Sequence, residues 1–168
     1  MHSPALLTYA FGHHAETLER ALDGLTEEQL NRRPGPDANP IGWLAWHLLR
    51  VQDDHVAEVA GRQQVYTADG FAGRFALPVA DDAIGYGMST EEVGSVRITD
   101  PGLLVEYSAA VSARTADFLA TLADADLDRV VDDSWDPPVT LGVRLVSVLG
   151  DDLQHLGQLG YVRGLLGA

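Results

Sequence analysis

Two imidazoles and a carboxylate, His47, Asp151 and His155, are the side chains whose spacing points to metal chemistry. Asp151 and His155 stand four residues apart. On a helix both project from one face, with Cβ atoms roughly 6 Å apart, so both can reach one ion. Asp152 with His155 offers the alternative three-residue spacing. Val148, Leu159 and Val162 place the Asp151/His155 pair on an apolar face, where an unpartnered carboxylate is costly. His47 sits among Leu44, Leu48 and Val51, again on an apolar face. Two imidazoles and one carboxylate are the ligand set of catalytic zinc and of many non-haem iron centres, which keep positions open for substrate. The same residues also suit plainer roles: a hydrogen-bonded core histidine, and a local Asp–His hydrogen bond.

The remaining polar candidates rank by geometry. His55 lies eight residues beyond His47, roughly 12 Å along a helix axis, so the two cannot share an ion whose bonds are about 2 Å long. Asp54 and His55 are instead candidates to line the same cavity or to bond another helix. Arg144, seven residues before Asp151, could receive a substrate carboxylate, as could Arg163, although an interhelical ion pair accounts for either. Asp54, His55 and Arg144 are therefore the catalytic candidates beside the ligands. His14 falls on a core stripe, and His2 and His13 read as exposed.

Four long helical segments must position these groups. Ser3-Pro4 offers a cap and first turn, after which Leu7, Phe11, His14, Leu18 and Leu22 recur at helical spacing up to Gly24. Asn39-Pro40 opens the second helix, whose stripe of Leu44, His47, Leu48, Val51 and Asp54 or His55 ends at Gly61. Asp100-Pro101 opens the third, through Leu104, Tyr107, Val111, Thr115, Phe118 and Leu122. The fourth starts near Thr140, behind the rigid Trp135-Asp136-Pro137-Pro138 lead-in, and ends near Gly164 or Gly167. Thr26-Glu27-Glu28-Gln29 and Ser89-Thr90-Glu91-Glu92 each predict a short extra turn. The connection between the second and third helices has no sustained periodicity, and a connection of that length is functional, an interface element or a packed crossover. No strand ladder or repeat is visible. The expectation is an all-α four-helix bundle spanning residues 1–168 as one domain, with any metal in its interior.

Composition narrows the function. The 168 residues carry a formal net charge of −14, which opposes binding to nucleic-acid phosphates or anionic lipid. All eleven basic residues are arginine and there is no cysteine, so thiolate ligands, disulfides and a protein thiol nucleophile are excluded. With no membrane-spanning run and no signal-peptide pattern in Met1-His2-Ser3-Pro4, a cytoplasmic location is expected. A di-iron bundle is disfavoured because no Glu-x-x-His pair occurs.

Asn39-Pro40-Ile41-Gly42-Trp43-Leu44-Ala45-Trp46-His47-Leu48 resembles the second-helix motif of the DinB/YfiT-like superfamily, and Asp151-Asp152-Leu153-Gln154-His155-Leu156-Gly157-Gln158-Leu159 resembles its fourth-helix motif. The resemblance covers nearly the whole chain and is nearest to the mycothiol transferase and mycothiol-dependent maleylpyruvate isomerase branch. It implies a four-helix bundle, often dimeric, with a metal on three helix-borne ligands matching His47, His155 and the position four residues earlier. That position is commonly histidine, or glutamate in the isomerase type, whereas here it is the shorter Asp151. The implied activity is transfer of a small, mycothiol-like thiol to an electrophilic substrate, with a divalent cation as cofactor (zinc first, nickel or iron as alternatives) and a homodimer as the assembly. The competing expectations are a metal-dependent hydrolase on the same scaffold and a non-catalytic metal-binding or stress-related module.

Overall fold

Trp43, Leu44, Ala45, Trp46, Leu48 and Leu49 leave no polar face over more than a turn of the second long helix, so that helix must be covered on all sides. In the computed structural model, which describes residues 2–168, two neighbouring long helices and shorter elements cover it accordingly, within a bundle of four long helices. These are α1 (Ser3–Leu22), α3 (Ile41–Ala60), α7 (Pro101–Leu119) and α8 (Leu141–Leu166). Short elements join them: α2 (Glu27–Asn31), α4 (Val65–Ala68), α5 (Phe71–Phe75), α6 (Thr90–Ser95) and a 3-10 turn (Asp124–Asp128). Among the described residues no helix is long and apolar enough to cross a membrane.

Helix ends follow local chemistry. α2 and α6 each begin with a capping box, Thr26 with Gln29 and Ser89 with Glu92. Asp100 caps α7 through Gly102 N–H, and Thr140 caps α8 through Val143 N–H. Gly61 and Gly167 end α3 and α8 in the left-handed conformation. The expected cap at Ser3 is corrected. His2 holds that position without a side-chain bond, and Ser3 is the first helical residue, its N–H donating to the distant Asp124 carboxylate at 2.7 Å. A two-stranded antiparallel ribbon that the sequence did not announce, β1 (Val130–Asp132) with β2 (Val139–Thr140), leads into α8. Strands of three and two residues are too short to carry an alternation pattern. Trp135, at the tip of that ribbon, is exposed rather than packed on the bundle.

The connection between α3 and α7 wraps the outer side of α3 and buries Tyr66, Phe71 and Phe75 against Tyr107 of α7. It thereby buries Arg50 and Asp53, while Gln52 is buried where it donates to Thr115 of α7. A one-sided stripe would have left all three polar residues in solvent. On α8 the core line runs through Leu141, Leu145, Val148, Asp152, Leu156, Leu159 and Val162. Asp152, not Asp151, thus takes the core position. It faces His14 of α1 at 3.7 Å, while Asp151 and His155 occupy the shoulder of the stripe facing α3.

Candidate metal centre

α3 and α8 run in opposite directions, as the contacts of His47 with His155 and of His55 with Arg144 fix. This pairing brings His47, Asp151 and His155 together: one ligand atom from each lies within 4.8 Å of the others. The two imidazoles meet edge to face at 82°, with ring centres 4.6 Å apart. Trp43, one turn before His47, stacks on its ring at 4.6 Å.

Each imidazole is oriented through its second nitrogen. His47 Nδ1 lies 2.5 Å from the Ile84 carbonyl, which can only accept, so Nδ1 carries the hydrogen and Nε2 is left as the donor atom for a metal. His155 Nδ1–H donates to Gln158 Oε1 at 2.9 Å, again freeing Nε2, which lies 3.6 Å from Asp151 Oδ1. Gln158, one turn beyond His155, belongs to the Gly-Gln element of the motif, and its role was not evident from the sequence. Ile84 was missed as well. Its signal is the neighbouring Gly85, whose φ of +92° and absent side chain allow the close approach to His47.

Electrostatics prepare two of the three members for a cation, a neutral His47 and an ionised Asp151, whereas His155 is biased toward its protonated form and must release that proton on binding. Burial lowers the His47 pKa, keeping the ring neutral. The Asp151 carboxylate, whose Oδ1 lies 3.6 Å from Nε2, raises that of His155 against its burial. Burial of Asp151 works to raise its carboxyl, but the adjoining His155 prevails, with lesser contributions from His47 and His55, and its pKa falls below the ordinary value. Asp151 Oδ2 is buried with no hydrogen-bond partner in the protein. A buried carboxylate oxygen without a partner, beside two imidazole nitrogens, fits a divalent cation by donor type and charge. The cluster can therefore bind a metal ion.

The other candidates assemble elsewhere. Arg144 Nη1 is 3.2 Å from His55 Nδ1 and 3.1 Å from Glu58, and its Nη2 is 3.2 Å from Asp132. Asp54 lies 3.5 Å from His55 and accepts from Gln64 at 2.6 Å. Asp54, His55 and Arg144 thus line one polar recess of about 450 Å³. It lies roughly 10–12 Å along the same helix pair from the metal cluster, at seven residues on α8 and eight on α3. Arg163 donates to the Ala21 and Ala168 carbonyls and ties the end of α8 to that of α1. On the opposite side of the cluster, beyond Gln158, a groove of about 500 Å³ is walled by Leu44, Tyr161, Val162 and Leu165.

The sequence profile of the DinB superfamily matches residues 10–159. The chain is also similar to the crystal structure of a conserved protein from Enterococcus faecalis, at 30% identity and a TM-score of 0.92, over 100% of this chain and 99% of that one. No curated protein matches.

Proposed function

The chain belongs to the DinB superfamily, and from that premise we propose that it is a metal-dependent transferase that adds a small, mycothiol-like thiol to an electrophilic carbon. The observation that carries the reading is the three-membered cluster of His47, Asp151 and His155, with both imidazoles held so that Nε2 faces the shared centre. Three protein ligands are the number found in catalytic zinc sites, where the remaining position serves water or substrate. When bound, a divalent cation supplies Lewis acidity that favours the thiolate form of a coordinated thiol, the form that acts as nucleophile.

The residues of the chain have definite tasks in this scheme. His47, kept neutral by burial, and His155 would each offer Nε2, and Asp151 an oxygen. The carboxylate offsets one positive charge and leaves the centre less electrophilic than a third imidazole would. Trp43 covers one face of His47 and restricts water there. The groove lined by Leu44 and Val162 offers apolar surface to the organic part of a substrate. With no cysteine in the chain, the sulfur must come from a cosubstrate. In the reaction the S–H proton is lost to solvent or buffer, an S–C bond forms, and the electrophile either expels a leaving group or takes a proton on the adjacent carbon. Zinc is the first choice of metal, with nickel and iron accepting the same donors. The proposal includes a homodimer, for which exposed Val143, Val146 and Leu153 on α8 supply apolar surface, and light scattering on the purified protein reads its mass.

The test incubates metal-loaded protein with mycothiol or 2-mercaptoethanol and an alkylating electrophile, then identifies products by mass spectrometry. A thioether or thiol adduct that needs both metal and thiol, and is lost in His47→Ala, is the expected result. Turnover independent of thiol, with solvent oxygen in the product, would replace this reading by metal-dependent hydrolysis. Absence of any turnover with metal bound would leave a non-catalytic metal-binding module.

A further inference from the structure

Arg50 is completely buried one turn after His47, an expensive place for a charge. Its guanidinium forks onto the connection that wraps α3, with Nε donating to the Ala83 carbonyl at 3.1 Å and Nη2 to the Asp81 carbonyl at 3.0 Å. Nη1 reaches the Tyr107 hydroxyl at 3.3 Å and lies 3.6 Å from Asp53 Oδ2, and the group stacks over the Tyr66 ring at 4.1 Å. Asp53 in turn accepts from the Val65 and Tyr66 N–H groups and from the Tyr107 hydroxyl, each at 2.8 Å. Every strong partner of this charge is thus either backbone of the connection or a group that holds it.

The carbonyl that follows those two clamped ones belongs to Ile84, and it is the acceptor of His47 Nδ1–H. At the next residue, Gly85, a Cβ would stand 2.7 Å from His47 Nδ1 and 3.1 Å from Trp43 Cζ2. The clamp and the imidazole are three residues apart on one rigid helix. The helix therefore sets the distance between the point where Arg50 grips the loop and the point where the loop touches His47.

We propose that Arg50 is a positioning residue for the metal centre: it holds the 81–85 segment so that the Ile84 carbonyl fixes His47 as the Nδ1–H tautomer with Nε2 presented to the ion. The consequence for affinity rests on the metal reading of the cluster, whereas the tautomer does not. A neutral imidazole without this bond would divide between tautomers and ring orientations, and only part of that population could bind. Loss of such outer partners lowers metal affinity about 10- to 100-fold. Arg50→Lys keeps the charge but loses the planar fork that spans two carbonyls.

The experiment is nitrogen NMR of His47 in metal-free protein, at a pH where the ring is neutral, on wild type, Arg50→Lys, Gly85→Ala and Gly87→Ala. Zinc affinity is measured in parallel by competition with a chromophoric chelator. Gly87 shares the left-handed backbone, at φ +73°, but a Cβ there meets nothing within 4 Å, so its variant controls for backbone strain alone. Wild type and Gly87→Ala are expected to show the Nδ1–H tautomer. Folded Arg50→Lys and Gly85→Ala are expected to show mixed tautomers and zinc binding 10- to 100-fold weaker. A folded Arg50→Lys that keeps a pure Nδ1–H tautomer overturns the assignment. Should Arg50→Lys fail to fold, Gly85→Ala decides, and an unchanged tautomer there overturns it equally. If the wild type binds no zinc, the metal reading fails while the tautomer data still decide the role of Arg50.

Discussion

Replacing Asp151 by Asn removes one negative charge while keeping the side chain's shape, and it separates a ligand role from a structural one. Asp151 Oδ2 has no hydrogen-bond partner in the protein, and Oδ1 has only His155 at 3.6 Å, so the metal-free fold should lose little. The bound state should lose much. Structural zinc on four protein ligands is worth about 10–16 kcal/mol, or about 3 kcal/mol per ligand, so removing one of three weakens binding by roughly two orders of magnitude. At a free metal concentration near 100 times the wild-type Kd, binding stabilises the wild type by about 2.7 kcal/mol. The variant, then near its own Kd, gains only about 0.4 kcal/mol. For a chain of this size the missing increment corresponds to a metal-induced rise in Tm smaller by about 5–9 °C. Differential scanning fluorimetry with and without zinc, on both proteins, reads this directly. An Asn variant whose Tm rises with zinc as much as the wild type's would refute the place of Asp151 in the ligand set. A metal-free variant much less stable than metal-free wild type would mean that the carboxylate holds the fold instead.

Burial pushes the Asp152 carboxyl from its ordinary 3.8 to about 6. A group whose folded pKa is raised lends stability that is complete below its unfolded pKa and lost as pH climbs through the folded value, here about 3 kcal/mol between roughly pH 4 and 6. Urea unfolding of metal-free protein across that range should show the decline, and Asp152→Asn should flatten it; an equal slope in the variant would mean that other groups cause it. Arg144→Ala breaks the contacts with His55, Glu58 and Asp132 but should leave zinc affinity within about twofold, because it lies roughly 10 Å along α8 from Asp151. A tenfold loss in the chelator competition would instead tie the polar recess to the metal cluster. Thr140→Ala removes the cap of the helix that carries two ligands and should cost about 1 kcal/mol in urea midpoint analysis, with no change in zinc affinity once folded. A cost near zero would mean that the β ribbon alone starts α8.

The four long helices were legible because their apolar residues repeat at the helical period and glycines stand where helices end, as at Gly61 and Gly167. The three members of the cluster were legible from their types and from the Asp151/His155 spacing, although spacing alone fits a local hydrogen bond and a core histidine at least as well. Neighbouring positions on a helix point about 100° apart, so small errors in the stripe exchange roles, and Asp152 rather than Asp151 proved to be the core residue. The supporting shell was not legible. Arg50 meets Asp81 and Ala83 across more than thirty residues of aperiodic chain, and His47 meets Ile84 across 37. Such pairings leave no period to read. Their only trace is glycine with positive φ at 85, needed where backbone passes a side chain at close range. The burial of Arg50 and Asp53 likewise depends on a segment whose path the helical pattern does not encode.

The most direct test of the metal reading is elemental analysis of untagged wild-type protein beside His155→Ala, each offered zinc, nickel and iron equally and then freed of loose metal. About one equivalent in the wild type and little in the variant is the predicted result. Wild-type protein that is folded yet carries no metal, or a folded His155→Ala that retains the full equivalent, would contradict it.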